Sequence, residues 1–169
     1  GVSALKNNLD SYKSALETDP ISAFGGIVSC NYKITQKIAV MLNKIFLEVI
    51  VANGFDKKAL KILKSKKNLR LIDSSKISFN QVWKFNSFDN FTLIQSEDKK
   101  IFSKKDFRIV SKRKPSKSQL DNLMFAFNVC RYTKSNAIVL ASNKSTIGIG
   151  SGQPSRLDSC EIAINKMNK

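Results

Sequence analysis

The chain has 169 residues, 42% of them hydrophobic, and it carries a formal charge of +16 with no histidine. This length and apolar content suit a folded domain with a real core, and no apolar run approaches the ~20 residues that a membrane span requires. Without histidine there is no imidazole general base, and three scattered cysteines (Cys30, Cys130 and Cys160) cannot complete a zinc site. We therefore expect no zinc and reduced thiols. We also expect a cytoplasmic protein without membrane contact.

The positive charge has two explanations. Contacts to the phosphates of a polyanion are one, because such contacts release counterions and dominate affinity. However, only five of the 29 basic residues are arginine, and the lysines are scattered along predicted helix faces. The abundance of Lys, Asn, Ile and Phe is also what an A+T-rich genome encodes. Nucleic-acid binding is therefore not expected, and a basic RNA- or polyanion-binding module remains the alternative function.

Residues 1–73 alternate between helical and strand patterns. Apolar residues recur at helical spacing in three segments, and short apolar runs separate them. A strand, helix, strand, helix, strand order is typical of crossover units on a parallel sheet, so the fold class is α/β. One predicted helix spans 4–18 and is ended by Asp19 and Pro20, and another spans 57–67 after an Asp56 cap. Between them a helix follows a Thr35 cap, with Ile38, Leu42, Ile45 and Phe46 inward. The predicted strands span 24–31, 48–52 and 69–73.

Residues 74–106 lose the helical period and become alternating and aromatic, which predicts a β-hairpin insertion. Asp89 and Asn90 are the turn candidate. The aromatic residues could stack on nucleic-acid bases, but their spacing is irregular and no arginine lies among them. We therefore expect them to pack in a core or an interface.

Residues 107–169 predict a strand, a helix, a β-hairpin and a closing helix. The first strand covers 107–112, and the helix opens at Pro115 and Ser116 and runs to about Tyr132. The hairpin strands cover 136–142 and 146–151, and Pro154 is the predicted first residue of the closing helix. The predicted buried side chains of the first helix are Leu120, Leu123, Met124 and Phe127, and the closing helix carries Leu157, Ile164 and Met167 on one side.

The predicted hairpin places two polar segments at one end. Its geometry brings Lys134, Ser135 and Asn136 alongside the run from Gly150 to Arg156. A helix N-terminus and an arginine fork at that end suit an anion such as phosphate. The glycines can equally serve tight packing, and Asn136 and Arg156 can be a turn residue and a solvated helix start, so these residues alone leave both interpretations open.

The same residues carry a family resemblance. SNAIVLA followed by TIGIGSGQPSR resembles the signature of AICAR formyltransferases, and TDPISAFGGIV, FLEVIVA and RIVSKRKP resemble three further blocks in family order. The resemblance implies a cytidine-deaminase-like mixed sheet with flanking helices. It also implies transfer of a formyl group from 10-formyltetrahydrofolate to AICAR, in a zinc-free site shared between two subunits of a homodimer. The family domain is normally joined to an IMP cyclohydrolase in a bifunctional enzyme of purine (IMP) biosynthesis.

The resemblance also implies roles for particular residues. Asn136 orients the amine of AICAR and, with Lys134, is assigned as catalytic. A potassium ion is implied near Thr133 and Ser135. The implied substrate-binding residues are Arg156, Glu48, Phe24, Gly25, Ser135 and Gln153, and the implied folate-side residues are Ile21 and Leu157.

One part of the family pattern is missing. The family's proton-transferring Lys-His pair belongs to a KHxNPxG block, and Gly1 to Ser3 resembles only the tail of that block. We therefore expect residues 1–169 to be an internal fragment of the formyltransferase domain with almost no turnover of its own, because positioned proton transfer supplies about 10² to 10⁴ in rate. A structural subdomain that binds no ligand is the third interpretation.

Overall fold

The computed structural model describes residues 1–78 and 83–168. Within them the chain is a mixed α/β structure, which confirms the predicted fold class; the cytidine-deaminase-like arrangement stays a prediction. The helices are α1 (Asn8–Glu17), α2 (Gln36–Leu42), α3 (Lys57–Leu63), α4 (Lys117–Cys130) and α5 (Arg156–Met167); the strands are β1 (Gly26–Cys30), β2 (Leu47–Ala52), β3 (Arg70–Asp73), β4 (Trp83–Phe88), β5 (Phe91–Ser96), β6 (Ile138–Ser142) and β7 (Ser145–Gly150).

The predicted crossover units form a parallel sheet in the order β1-β2-β3. Its core is built from fully buried side chains, among them Ile34, Leu42, Ile50 and Leu63. Asp56 caps α3, as predicted, by accepting a hydrogen bond from Ala59 N at 2.6 Å. Its second carboxylate oxygen accepts from Gln36 N at 3.1 Å, so Asp56 also satisfies the start of α2. Thr35 is the N-cap residue of α2, as predicted, but its hydroxyl makes no capping hydrogen bond.

The closing hairpin and helix pack more closely than the sequence pattern suggested. A Cβ atom on Gly148 or Gly150 would collide with the carbonyl oxygen of Ala163 or Ser159, so these glycines let α5 lie directly on β7. Only small side chains fit that contact, and the buried residues of α5 are Ser159 and Ala163. Leu157, Ile164 and Met167, which the sequence places on one side of this helix, are all exposed. Pro154 also lies before the helix, which begins at Arg156 after a Ser155 cap.

The predicted hairpin insertion is present as β4 and β5, with Asp89 in the left-handed region at φ 46°. Every residue of both strands is exposed. The two strands pair only with each other in the described part of the chain, and no third strand covers either face. The aromatic side chains therefore do not lie in this chain's core, which leaves the interface alternative.

The predicted strand over 107–112 is wrong. A strand needs a neighbouring strand to pair with. This segment instead begins in an aromatic cluster, in which the ring centroid of Phe107 lies 5.9 Å from that of Phe102 and 5.1 Å from that of Phe127. A short 3-10 turn at Lys104–Asp106 precedes it. α4 begins, as predicted, at Ser116, whose side chain caps the helix. The helix packs against β6, and Val129 is buried, whereas Leu123 is exposed.

Candidate functional site

The first group of predicted site residues lies at one end of the β6-β7 hairpin. Lys134 accepts a hydrogen bond at its carbonyl oxygen from Gly152 N at 2.7 Å, and Asn136 N donates to the carbonyl oxygen of Gln153 at 3.1 Å. The peptide bond between Ser135 and Asn136 is cis. The hairpin thus places residues 134–136 beside residues 152–154, as its pattern predicted.

The side chain of Asn136 is held in one orientation. Its Nδ2 donates to the carbonyl oxygens of Gln153 at 3.0 Å and Pro154 at 2.8 Å. Since carbonyl oxygens only accept, these contacts fix the amide nitrogen toward the loop and turn Oδ1 the other way. The Asn136 carbonyl oxygen accepts from Ser159 Oγ at 2.8 Å, which ties the residue to α5. Among the described residues none donates to Oδ1, so this atom can accept an N–H from a ligand.

Arg156 and Leu157 begin α5 next to this loop and both are exposed. Ser155 Oγ caps the helix by accepting from Leu157 N at 3.1 Å. Within the described residues no carboxylate pairs with the Arg156 guanidinium. A solvated planar fork of this kind can bind a phosphate or carboxylate in a bidentate manner.

The remaining residues of this group make local contacts. Lys134 is exposed, and its aliphatic chain lies beside Gly152. Gln153 is half-buried, and its Nε2 donates to the carbonyl oxygen of Ser151 at 3.2 Å. Thr133 Oγ1 donates to the carbonyl oxygen of Cys130 at 2.7 Å. The structure therefore brings Thr133, Ser135 and Asn136 into one turn of chain, with Lys134 and Gln153 at its surface.

The second group of predicted site residues lies at the start of the parallel sheet. Gly25 N donates to the carbonyl oxygen of Phe46 at 2.9 Å, and Gly25 adopts φ +71°. The rings of Phe24 and Phe46 lie 5.1 Å apart. Glu48 follows on β2 and is exposed, and Ile21 and Phe24 are 76% and 72% exposed. These residues form an open apolar surface with one carboxylate beside it.

Within residues 1–78 and 83–168 of one chain, no hydrogen bond, ion pair or ring contact joins the two groups. Their connection is indirect. The buried Thr18 Oγ1 donates to the carbonyl oxygen of Thr146 at 2.7 Å, and the Lys166 ammonium on α5 donates to the carboxylate of Asp19. The Lys166 hydrogen bond lowers the pKa of Asp19 to about 2.

The sequence alone does not identify these linking residues. The sequence predicts Asp19 as a helix stop, Thr18 as the last residue of the first helix and Thr146 as the first residue of a hairpin strand, with no contact between them. Neither threonine stands in an apolar run, since Thr146 follows Lys144 and Ser145 and Thr18 lies between Glu17 and Asp19, so nothing local predicts the burial of Thr18. Its partner lies more than a hundred positions away along the chain and cannot be read from spacing.

A separate cleft lies beside α1 and β1. It has a volume of about 780 Å³ and opens between α1, the outer edge of β1 and the end of β7. None of the predicted site residues lines it. Burial raises the pKa of the Cys30 thiol and of the Tyr32 hydroxyl on its wall, which keeps both groups neutral. Representative lining residues are Tyr12, Gly26, Cys30, Tyr32, Ile149 and Lys166.

Across residues 1–78 and 83–168, no cluster of three or more Cys, Asp or Glu side chains could hold a metal ion. In the same ranges, no helix combines the length and apolar character needed to cross a bilayer.

Comparison with known proteins covers nearly the whole chain. The sequence profile of the family described as AICARFT/IMPCHase bienzyme matches residues 1–166. The Bifunctional purine biosynthesis protein PurH of Wigglesworthia glossinidia brevipalpis is 44% identical over 167 residues, which are 98% of this chain and 32% of that protein. The proteins of the same name from Acetivibrio thermocellus and Aquifex aeolicus are 40% and 41% identical over 97% and 98% of this chain. The chain spans 32% of the length of each of these relatives.

Proposed function

The chain belongs to the AICARFT/IMPCHase bienzyme family, and on that premise we propose that it is part of a formyltransferase domain of a bifunctional, cytoplasmic enzyme of purine biosynthesis. Its substrates are AICAR and 10-formyltetrahydrofolate. The observation that supports this most is the fixed orientation of Asn136 beside the unpaired Arg156. Together they offer one hydrogen-bond acceptor and one anion-binding fork, which a phosphorylated aminoimidazole carboxamide requires.

The geometry suggests how these groups act on AICAR. The Arg156 guanidinium holds an anionic group of the substrate, and Asn136 Oδ1 accepts one N–H of the exocyclic amine. The amine lone pair is then aimed at the formyl carbon, a new N–C bond forms, and the bond from that carbon to the folate nitrogen breaks. The amine loses a proton and the folate nitrogen gains one. Asn136 contributes by orientation, and Lys134 adds a positive charge to the same surface.

The second group of residues completes the site in this proposal. Ile21, Phe24 and Leu157 are each about three-quarters exposed, although side chains of this type usually find cover. A homodimer in which Glu48, Phe24 and Gly25 of one subunit face Asn136 and Arg156 of the other would cover both surfaces. Ile21 and Leu157 would then contact the folate, and Glu48 the nucleotide. Both groups are exposed, and no hydrogen bond or ion pair joins them within the described residues, which supports a site shared between subunits.

Potassium is a secondary element of the proposal. Hydroxyl and carbonyl oxygens suit such a hard cation, and Thr133 and Ser135 bring two hydroxyls into one turn. Thr133 Oγ1 already donates to Cys130 O, and its lone pairs remain able to bind a cation. Two hydroxyls supply only part of a coordination shell, so the ion would be structural at this turn.

Ligand-dependent stability tests the proposed function. We expect AICAR at tenfold its dissociation constant to stabilise the chain by about 1.4 kcal/mol and to raise the unfolding midpoint, because it binds only the folded state. Arg156→Ala should abolish the rise. Arg70→Ala removes an equally exposed arginine from β3, outside both groups, and should keep it.

Two results would overturn the proposal. One is an AICAR response that survives Arg156→Ala unchanged. The other is no response to AICAR together with binding of a single-stranded oligonucleotide that weakens steeply with salt, which would favour the polyanion-binding alternative.

A further inference from the structure

The arginine at the end of α4 is held almost entirely out of water. The side chain of Arg131 is 11% exposed, although arginine and lysine side chains usually remain at the surface. Its Nη2 donates to the carbonyl oxygen of Asp98 at 2.8 Å and lies 3.1 Å from Asp98 Oδ1. The guanidinium carbon lies 5.7 Å from the ring centroid of Phe102 and 5.6 Å from that of Tyr132. Arg131 therefore joins the end of α4 to the segment that follows β5.

The segment that holds Arg131 is itself fixed to α4. Asn128 accepts a hydrogen bond from Phe102 N at 3.2 Å and donates to the Phe102 carbonyl oxygen at 3.1 Å. The rings of Phe102 and Phe127 meet edge to face at 5.0 Å. Asp98 Oδ1 also accepts from Lys100 N at 3.1 Å, which orients the carboxylate. The acceptors of Asp98 are thus presented to Arg131 from a fixed support.

Residues 132–136 leave α4 directly after Arg131 and end at Asn136, whose side chain has to keep one orientation in the proposed function. Tyr132, Lys134 and Ser135 are exposed, so burial does not hold this stretch. Its far end is fixed by the hydrogen bonds of Asn136 to residues 153 and 154. Its near end is the last turn of α4, so the course of the stretch depends on where Arg131 lies.

Stability alone does not account for an arginine at this position. Among the described residues no acceptor pairs with its buried Nε, and a buried polar group without a partner costs free energy. A buried ion pair can often be replaced by apolar side chains of similar volume without loss of stability. The guanidinium adds direction, because its hydrogen bond to Asp98 specifies where the end of α4 lies.

We propose that Arg131 is a positioning residue, which through Asp98 fixes the end of α4 and thereby the course of residues 132–136 and the orientation of Asn136. Arg131 itself contacts no substrate, and its effect passes through the backbone of this stretch. The inference rests on the proposed function in one respect, that Asn136 contacts AICAR.

Calorimetric titration with AICAR tests this inference. Arg131→Leu keeps the packing against Phe102 and loses the hydrogen bond, so we expect a folded variant that binds AICAR about tenfold more weakly, because misplacement of an orienting group is costly. Asp98→Ala changes a side chain that is 70% exposed and should have the same effect. The double variant should be no worse than either single variant, since both remove one interaction. Arg131→Lys returns a donor to Asp98 and should bind within about threefold of the unsubstituted chain, because only one nitrogen of Arg131 makes the contact.

A matched control removes another ion pair between the same two parts of the chain. Lys104 lies 2.6 Å from the carboxylate of Asp121, which is on α4 about 15 Å before Arg131 at about 1.5 Å per residue. Asp121→Ala should therefore leave the AICAR affinity within about twofold of the unsubstituted value. Thermal unfolding of every variant shows that it is folded at the temperature of the titration.

Nuclear magnetic resonance of the chain without AICAR separates the inference from the proposed function. The two Nδ2 proton signals of Asn136, assigned by their loss in Asn136→Asp, report its hydrogen bonds to the loop. We expect these signals to move, and to exchange faster with water, in Arg131→Leu and Asp98→Ala but not in Asp121→Ala.

Three results would overturn the inference: unchanged Asn136 signals in Arg131→Leu and Asp98→Ala, full AICAR affinity in both variants, or an equal effect of Asp121→Ala. A different result refutes only the proposed function. If the Asn136 signals move as expected but the unsubstituted chain does not bind AICAR, the positioning of Asn136 by Arg131 stands and its role toward AICAR does not.

Discussion

The hydroxyl oxygens of Thr18 and Thr146 lie 2.8 Å apart in a buried contact between the end of α1 and the start of β7. The Thr18 hydroxyl donates its hydrogen to the carbonyl oxygen of Thr146 at 2.7 Å. This contact joins the part of the chain that carries Phe24 and Glu48 to the part that carries Asn136 and Arg156. The relative position of the two groups of site residues therefore depends on it.

Thr18→Val should lower the free energy of unfolding by about 1 to 2 kcal/mol, because the isosteric side chain removes a buried donor and leaves its acceptors poorly satisfied. Thr18→Ser keeps the hydroxyl and should cost less. Urea unfolding of both variants at one pH measures the difference. A valine variant as stable as the unsubstituted chain, with the loss confined to the serine variant, would show that the methyl group, and not the hydrogen bond, matters.

The ion pair between Asp19 and Lys166 should make stability depend on pH only in the acid range. The pKa of Asp19 falls from 3.8 to about 2 in the folded chain, so the contribution is present above pH 3.8 and is lost as the pH falls through about 2. Asp19→Asn should cost about 1 kcal/mol at neutral pH, since the pair is partly solvated.

Unfolding curves of the unsubstituted chain and Asp19→Asn at several pH values check this. The difference between the two proteins should be constant from pH 5 to 8 and shrink toward pH 2. A difference that grows on acidification would contradict the assignment.

Gly150→Ala should destabilise the chain by about 2 kcal/mol or more, because the new Cβ meets the carbonyl oxygen of Ser159 and the backbone of α5 has to move. Movement of α5 would also disturb the bond from Ser159 Oγ to Asn136, so the AICAR response should weaken as well. Ser151→Ala, at the neighbouring exposed position, is the control. A stable Gly150→Ala variant with full AICAR response would show that α5 does not pack as described.

Cys30 should be the slowest of the three cysteines to react with a thiol reagent. It is buried, and burial raises its pKa, so the reactive thiolate is scarce at neutral pH. Cys130 and Cys160 are half-buried. Alkylation of the native chain followed by peptide mapping gives the order of reaction, and rapid alkylation of Cys30 would indicate that the cleft beside β1 is open to the reagent.

The sequence predicted those elements whose pattern is local. The crossover units, the β4-β5 hairpin with its turn at Asp89 and the β6-β7 hairpin follow from periodicity and turn residues within short windows. The strand over 107–112 failed because a strand depends on a neighbour that periodicity does not supply. The buried face of α5 could not be predicted, because contact with Gly148 and Gly150 selects small side chains over large apolar ones.

The candidate site could likewise be predicted only where it depends on local sequence. The meeting of Lys134, Asn136 and Gln153 follows from the hairpin, so it could be predicted. The separation of this group from Phe24, Gly25 and Glu48 is a property of tertiary structure and could not. Nor could the link through Thr18 and Asp19, since both partners are distant in sequence.

Mixing two variants that each fail to bind AICAR tests the shared site most directly. Glu48→Ala and Arg156→Ala each break a different group, so each variant alone should fail to bind AICAR. In a refolded equal mixture, about half the dimers contain one of each, and one of their two sites has both groups intact, so about a quarter of the unsubstituted binding capacity should return by calorimetric titration. No recovery in a mixture that forms mixed dimers would contradict a site built from two subunits.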